Sequence, residues 1–256
     1  MNRRALALLP LVLVTAGCFE GQRTIRVKAD GSGTVVDTLV LGEQMKAMVA
    51  AADTDQEAVA KEKAKYAAAA KAMGPGVRFV GEEKTPQGIK ATFAFDDIRT
   101  ARIGISPGPD DDSSGKKSQP LTFRLAREGT KSMLTVVQPR PAPKPKVGTD
   151  PAVPDAMNQM GMAMWTMMKP MMKGLKLRTI LEVDGTIVRT TSALASGPAV
   201  TLLDLDFDQI TASDANFKKF SRAGEDPSAM DPKLLQAVKG IKVSPEHEVV
   251  IEFTGR

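Results

Sequence analysis

TIRVKADGSGTVVDTLVL, residues 24–41, contains the clearest strand pattern of the sequence. Residues 24–29 and 35–41 show the apolar and polar alternation of strands that bury one face. The Asp-Gly-Ser-Gly sequence at 30–33 favours a tight turn between them, so the stretch predicts a β-hairpin. A glycine-rich turn that binds phosphate would be followed by a helix, whereas a strand follows here.

The chain after this hairpin has a helical composition over residues 43–73. Thr54 and Glu57 fit a capping box, which predicts a short helix to about Ala52 and a longer helix from Asp55. The apolar face of the longer helix consists of residues at helical spacing, namely Val59, Tyr66, Ala70 and Met73.

Alternating segments beyond this helix predict further hairpins and single strands. The predicted strands lie at 77–82, 89–95, 121–125, 132–137, 176–183, 187–191, 200–207 and 248–253, and the predicted short helices at 215–221 and 232–238. Because no strand–helix–strand rhythm repeats, the pattern favours an α+β fold with an antiparallel sheet built from hairpins. The long helix is then an insertion after the first hairpin.

A proline-rich stretch divides the chain. Residues 139–154 contain six prolines in sixteen residues, a composition typical of an extended spacer. The spacer separates a predicted N-terminal α+β lobe, residues 23–138, from a predicted C-terminal α+β lobe, residues 155–256. A Met-rich helix opens the second lobe.

Residues 1–17 have the layout of a secretory signal peptide. Two arginines precede an apolar run of about ten residues, which is too short to cross the ~30 Å hydrocarbon core of a bilayer. Cys18, the single cysteine of the chain, follows three small residues and would become the first residue after cleavage. We therefore expect a diacylglyceryl thioether on Cys18, with an amide-linked chain where the host adds one, and a lipidated tether over residues 18–22.

The composition argues against several classes of protein. The chain has 35 Lys and Arg against 30 Asp and Glu, and removal of the signal with its two arginines leaves a net charge of +3. A nucleic-acid binder would concentrate its basic residues and interleave aromatic ones, but aromatic residues make up 4% of this chain. One cysteine and one histidine provide neither an internal disulfide nor a zinc site of the usual ligands.

The segment 157–172 contains eight methionines in sixteen residues. Five of them recur at helical spacing and form one stripe: Met157, Met160, Met164, Met167 and Met171. Methionine is a flexible filler of cores, so we expect the stripe to pack on a sheet. Two alternatives stay open: an adaptable apolar surface that contacts a lipid or a protein partner, and a Cu(I) site made of thioethers.

Three aspartates alternate with apolar residues in LLDLDFD, residues 202–208. A strand would place Asp204, Asp206 and Asp208 on one face, where they could bind Mg²⁺ or Ca²⁺ or act as an acid–base pair. This is the single candidate centre for an enzyme. Since like charges repel, we expect a solvated, structural face with Arg178 or Arg189 as its basic cross-strand neighbour.

Two further motifs are weaker. His247 lies in a loop-like stretch, and the chain has no G-x-S-x-G motif to accompany a histidine base, so we expect a solvated turn residue. Residues 110–115 resemble the start of a calcium loop, but Leu121 stands where that loop needs a bidentate glutamate. We expect a polar loop there.

RTIRVKADGSGTVV, residues 23–36, directly after a predicted lipidated cysteine, resembles the opening hairpin of bacterial lipoproteins with an LppM-type domain. Residues 171–210 resemble the second half of a group of uncharacterised bacterial lipoproteins with a Met-rich helix, a V-x-G-x-I-V-x-T-N-A strand pair and a V-T-L-x-D-x-D-F strand. This chain has Thr-Ser-Ala at 191–193 where that group has Thr-Asn-Ala. The resemblance implies a lipoprotein fold that binds or lies against envelope lipids, and it transfers no catalytic residue.

These observations predict an exported, lipid-anchored envelope protein that binds a partner or supports the envelope, without a cofactor and without enzymatic activity. Its partners would be the membrane, through acylated Cys18, and a lipid or an envelope protein. The alternatives are a Met-rich Cu(I)-binding protein and, third, an enzyme that uses the aspartate strand. We expect the protein on the cell membrane or outer membrane, facing the periplasm or the exterior. Phe19 replaces the aspartate that retains enterobacterial lipoproteins in the inner membrane, which favours the outer one.

Overall fold

The computed structural model describes residues 19–42, 46, 56–108, 119–139, 172–223 and 235–255. The first half of the chain, by which we mean the part before the proline-rich stretch, contains β1 (Glu20–Val27), β2 (Gly33–Val40), α1 (Gln56–Ala72), β3 (Val77–Thr85), β4 (Gly88–Phe95), β5 (Thr122–Glu128) and β6 (Lys131–Val137). The second half contains β7 (Lys176–Val183), β8 (Gly185–Thr190), β9 (Ala195–Ser196), β10 (Ala199–Asp206), α2 (Phe207–Ile210), α3 (Asp214–Ala223), β11 (Ile241–Val243) and β12 (Glu248–Gly255).

The strands form two sheets. The large sheet has the order β11-β10-β7-β1-β2-β4-β3, with β9 paired to β10, and the small sheet has the order β5-β6-β12-β8. Among the strands that the structure describes, every pairing is antiparallel except that of β1 with β7, which is parallel. The α+β fold class predicted from the sequence is confirmed, and the parallel pair is a departure from a purely antiparallel sheet.

Strands from before and after the proline-rich stretch pair within both sheets. In the large sheet β1 lies beside β7, and in the small sheet β12 lies between β6 and β8. A division of the fold at residues 139–154 therefore separates neither two sheets nor two cores. Pairing between strands that are distant in sequence leaves no local trace in the sequence. The proline-rich composition of residues 139–154 therefore does not by itself predict a boundary between two domains.

One apolar core lies between the two sheets. Its fully buried side chains come from both halves of the chain, among them Ile25, Phe93, Leu134, Leu181 and Phe253. Period-2 alternation explains the arrangement, since the odd-numbered residues Ile25, Val27, Leu181 and Val183 belong to this core, whereas the even-numbered residues of β1 and β7 are partly or fully exposed.

Helix α1 covers the β3 side of the large sheet. Tyr66 is buried and its ring stacks on Phe79 with centroids 5.0 Å apart, while Ala70 and Met73 are also buried. Val59, which the helical spacing placed on the same face, is 43% exposed. The apolar face therefore begins after the first turns of the helix. The predicted short helix before it lies largely outside the described residues.

A second apolar cluster lies near the β11 edge of the large sheet. Helices α2 and α3 and the segment 235–243 supply its buried members, which are Phe207, Ile210, Phe217, Leu235, Val238, Ile241 and Val243. The short strand β11, which the sequence analysis did not predict, adds an edge to β10 beneath this cluster.

The chain enters the large sheet earlier than predicted. Strand β1 begins at Glu20, so residues 20–22 belong to the sheet and not to a tether that reaches Gln22. No helix within the described ranges is both long enough and apolar enough to cross a bilayer.

A core substitution tests whether the two halves unfold together. Leu181 is fully buried, so Leu181→Ala should lower the free energy of unfolding by about 2–5 kcal/mol. Val188 is 52% exposed, and the control Val188→Ala should change it by less than about 0.5 kcal/mol. In urea, Leu181→Ala should shift one transition shared by hydrogen exchange at the amides of β2 and β12 and by the circular dichroism of the whole chain. Two separable transitions would contradict a common core.

Candidate functional site

The predicted lipid acceptor, Cys18, lies outside the described residues, but its neighbour Phe19 is described. The backbone carbonyl of Phe19 accepts a hydrogen bond of 3.0 Å from the amide of Lys176, the first residue of β7. Glu20 and Lys176 are partners in the parallel pair, and their side chains lie 3.5 Å apart. The chain is therefore fixed in the sheet from the residue that follows Cys18.

We call this margin of the large sheet the tether edge. It comprises Phe19, Glu20 and residues 172–176, together with the β3–β4 turn at 85–88, because Val40 pairs with both Glu20 and Gly88. Phe19, Met172 and Leu175 are partly exposed there, and Lys173 and Lys176 are exposed. The edge thus combines apolar and cationic side chains with one carboxylate, that of Glu20, which is paired with Lys176.

The five methionines of the predicted stripe, Met157, Met160, Met164, Met167 and Met171, all lie outside the described residues. The residue that follows them, Met172, is partly buried and packs against the cluster of helices α2 and α3. The choice between packing, lipid or partner contact, and Cu(I) binding for the stripe stays a prediction.

The three aspartates do not share one strand face. Asp204 lies in β10, where its carboxylate contacts Arg178 at 3.0 Å and Lys242 at 3.7 Å. Asp206 ends the strand and caps helix α2, because its side chain accepts a hydrogen bond of 3.1 Å from the amide of Gln209. Asp208 lies within that helix and accepts a hydrogen bond of 2.9 Å from the amide of Gly174.

The alternation therefore predicted the strand correctly only as far as Asp206. Of the two basic neighbours that were expected, Arg178 pairs with Asp204 as predicted, whereas Arg189 lies in the small sheet and contacts Glu252 at 3.3 Å. Over the parts of the chain that the structure describes, no three His, Cys, Asp or Glu side chains are grouped so that they could hold a metal ion.

His247 is partly buried, not the solvated turn residue that the sequence predicted. Its Nδ1 atom is buried and has no hydrogen-bond partner among the described residues, and its backbone carbonyl accepts a hydrogen bond of 2.8 Å from Gln138. The nearby Ser244 hydroxyl donates to Glu246 at 2.6 Å. The calcium-loop motif at 110–115 lies outside the described residues.

A buried ion pair that the sequence analysis missed lies at the centre of the large sheet. Arg23 and Asp37 are 1% and 2% exposed, and the guanidinium binds the carboxylate in a bidentate manner, with distances of 2.7 and 2.6 Å. The register of the first hairpin pairs these two residues directly. Two charged residues at the buried positions of a predicted hairpin are the signal that could have revealed them.

This ion pair fixes the segment 104–108 over the sheet. Arg23 donates hydrogen bonds of 2.7 and 2.9 Å to the carbonyls of Gly104 and Gly108, and the amide of Gly108 donates to Asp37 at 3.0 Å. Thr179, beside Arg23 on β7, donates to the carbonyl of Ile105. The segment packs so closely that a Cβ at Gly21 would lie 2.7 Å from Cγ of Pro107.

The surroundings of Tyr66 raise the pKa of its hydroxyl. Burial raises the pKa of its hydroxyl well above the ordinary value, and the nearby carboxylates of Glu82, Glu62 and Asp37 raise it further. The hydroxyl therefore stays protonated over the physiological range, as suits a ring that packs in a core.

A cleft of about 590 Å³ lies between the end of α1 and the start of β3. Ala67, Ala70 and Phe79 contribute apolar surface, and Lys63 and Lys71 contribute positive charge. Its third cation, Arg78, is paired with Asp96 at 2.8 Å. The cleft lies at the end of the large sheet opposite to the tether edge, because β3 begins where β1 ends.

Comparison with known proteins identifies no family. No family model matches the chain, and no curated protein matches its sequence. Among solved structures, the NMR structure of the folded domain of LppM from Mycobacterium tuberculosis aligns over 99% of this chain and 96% of that chain, with a TM-score of 0.29 and 8% identity. At that score neither the fold nor the function of LppM is transferred to this chain.

The buried ion pair should be a main determinant of stability. Asp37→Ala leaves the Arg23 charge buried without its carboxylate and should cost about 3–5 kcal/mol. The matched control is Glu182→Ala, which breaks the partly exposed pair with Arg26 and should cost at most about 1 kcal/mol. Chemical unfolding of both variants measures the difference, and equal costs would contradict the role of the buried pair.

The aspartates should act through capping and charge pairing, not through a metal. Asp206→Ala should lower stability by about 0.5–2 kcal/mol, while Asp206→Asn should be nearly neutral because asparagine caps helices equally well. A metal ion bound at 100 times its dissociation constant would add about 2.7 kcal/mol. Thermal melts of the unmodified chain in millimolar Ca²⁺ and in chelator should therefore coincide, and a shift that Asp206→Asn abolishes would overturn this interpretation.

Proposed function

We propose that the chain is an exported lipoprotein of the cell envelope, cleaved before Cys18 and held on a bilayer by acyl chains on that cysteine. The observation that carries the proposal is the signal layout of residues 1–17, with the single cysteine directly after its small residues. Several acyl chains on one residue provide stable anchoring, where a single chain gives only reversible binding.

The start of the fold supports this proposal. Phe19, the residue after Cys18, is already hydrogen-bonded to Lys176, and β1 begins at the next residue, Glu20. Strand β1 therefore begins after the predicted cleavage site, and cleavage there leaves this strand whole. Had β1 begun upstream of Cys18, cleavage there would have removed part of the sheet.

We further propose that the folded part acts by binding a lipid or an envelope protein, or by structural support, and not by catalysis. The three aspartates that were the candidate catalytic centre each have another partner. Asp204 contacts two cations, Asp206 caps helix α2, and Asp208 accepts a hydrogen bond from the amide of Gly174. Phe19 after the cysteine favours the outer membrane in hosts that have two membranes.

Substitution of the acceptor tests the anchoring. Cys18→Ser should leave the chain without acyl groups, so that it is either not cleaved or released from the membrane. The matched control is Lys28→Ala, an exposed position beyond β1, which should be processed and retained as the unmodified chain is. Mass spectrometry of the N-terminal peptide and flotation of cell membranes measure the two effects. A Cys18→Ser variant that is cleaved normally and floats with membranes would contradict the proposal.

A further inference from the structure

The tether edge has a fixed position relative to the proposed lipid anchor. Strands β1 and β7 are parallel neighbours and begin at the same edge, so residues 172–176 enter the sheet beside Phe19 and Glu20. The partly buried Met172 lies on this edge too, and it packs against helices α2 and α3. Two chain segments that are distant in sequence therefore lie next to the anchor.

The chain between the lipid anchor at Cys18 and the start of the sheet at Glu20 is very short. Consecutive Cα atoms lie 3.8 Å apart, so the Cα atoms of Cys18 and Glu20 can be at most about 7 Å apart. The headgroup layer of one leaflet is roughly 5–8 Å thick. A Cys18 whose acyl chains are in the hydrocarbon core therefore places the first residues of β1 at the outer boundary of the headgroups or within them.

The side chains of the tether edge suit that position. Phe19, Met172 and Leu175 offer partly exposed apolar groups, which can enter the boundary between headgroups and acyl chains. Lys173 and Lys176 can extend their apolar stems along the surface while their ammonium groups reach phosphates. Each lysine near an anionic bilayer attracts the protein to the surface, and this attraction is partly offset at Lys176 by its contact with Glu20.

The opposite end of the large sheet lies far from this surface. The eight residues of β1 span roughly 26 Å at 3.3 Å per residue, and the β1–β2 turn lies beyond them. Lys28, which follows β1 and is exposed, marks this distal end. A bilayer that contacts the tether edge cannot contact Lys28 at the same time unless the sheet lies flat.

We propose that the tether edge is a membrane-docking surface, on which Phe19, Lys173 and Lys176 contact the phospholipid headgroups and hold the large sheet upright on the bilayer. This inference rests on the proposed lipid anchor at Cys18. It adds an orientation, in which the β1–β2 turn and the cleft between α1 and β3 face away from the membrane.

Site-specific fluorescence on the intact, acylated protein tests the orientation. Acylation consumes the thiol of Cys18, so a cysteine introduced elsewhere is the single thiol available for a fluorophore. The variant Lys173→Cys places the label on the tether edge, and Lys28→Cys is the matched control at the distal end. Gln87→Cys, in the exposed β3–β4 turn, is a second probe of the same edge that leaves both lysines in place.

The labelled proteins are reconstituted into vesicles of phosphatidylcholine and phosphatidylglycerol that carry a nitroxide on a fraction of their headgroups. Quenching of the labels at 173 and 87 should exceed quenching of the label at 28 by at least threefold. Equal quenching at all three positions, or stronger quenching at 28, would overturn the docking surface.

Flotation of the same samples separates the two proposals. Protein that floats with the vesicles but shows no preferential quenching at 173 and 87 would leave the lipid anchor intact and refute the docking surface. Protein that is not acylated and does not float would refute both.

Discussion

The parallel pairing of β1 with β7 is the constraint on which the rest of the structure depends. Parallel neighbours cannot be joined by a tight turn, so everything from β2 to β6 belongs to the connection between them. The same pairing brings the two halves of the chain into one core and places residues 172–176 beside Phe19. The position of the predicted lipid anchor relative to the fold follows from it.

The buried pair of Arg23 and Asp37 favours one register between strands β1 and β2. Burial of two charges is costly, and their mutual attraction offsets that cost only when the geometry is good. Here both carboxylate oxygens and three backbone groups of residues 104–108 complete the contacts. A shift of one residue between β1 and β2 would turn one strand's charge to the outer face and leave its partner buried alone, so the pair favours a single register.

Local patterns predicted local structure well and distant contacts poorly. The alternation in residues 24–41 predicted the first hairpin, and its register could have paired Arg23 with Asp37. In LLDLDFD the alternation continued past the end of the strand, because Asp206 is also a favourable helix cap and the chain turns there. The pairing of β1 with β7 could not be predicted from local patterns, since parallel strands separated by most of the chain share no turn and no common motif.

The close attachment of the sheet to residue 18 is tested most directly by hydrogen exchange at the amide of Lys176 in the acylated protein. This amide donates to the carbonyl of Phe19 at 3.0 Å, so it should exchange as slowly as the amides in the middle of β7. Exchange at the rate of an unstructured peptide, while the middle of β7 stays protected, would mean that the chain before Gly21 is frayed. The anchor would then be loosely tethered, which contradicts the account.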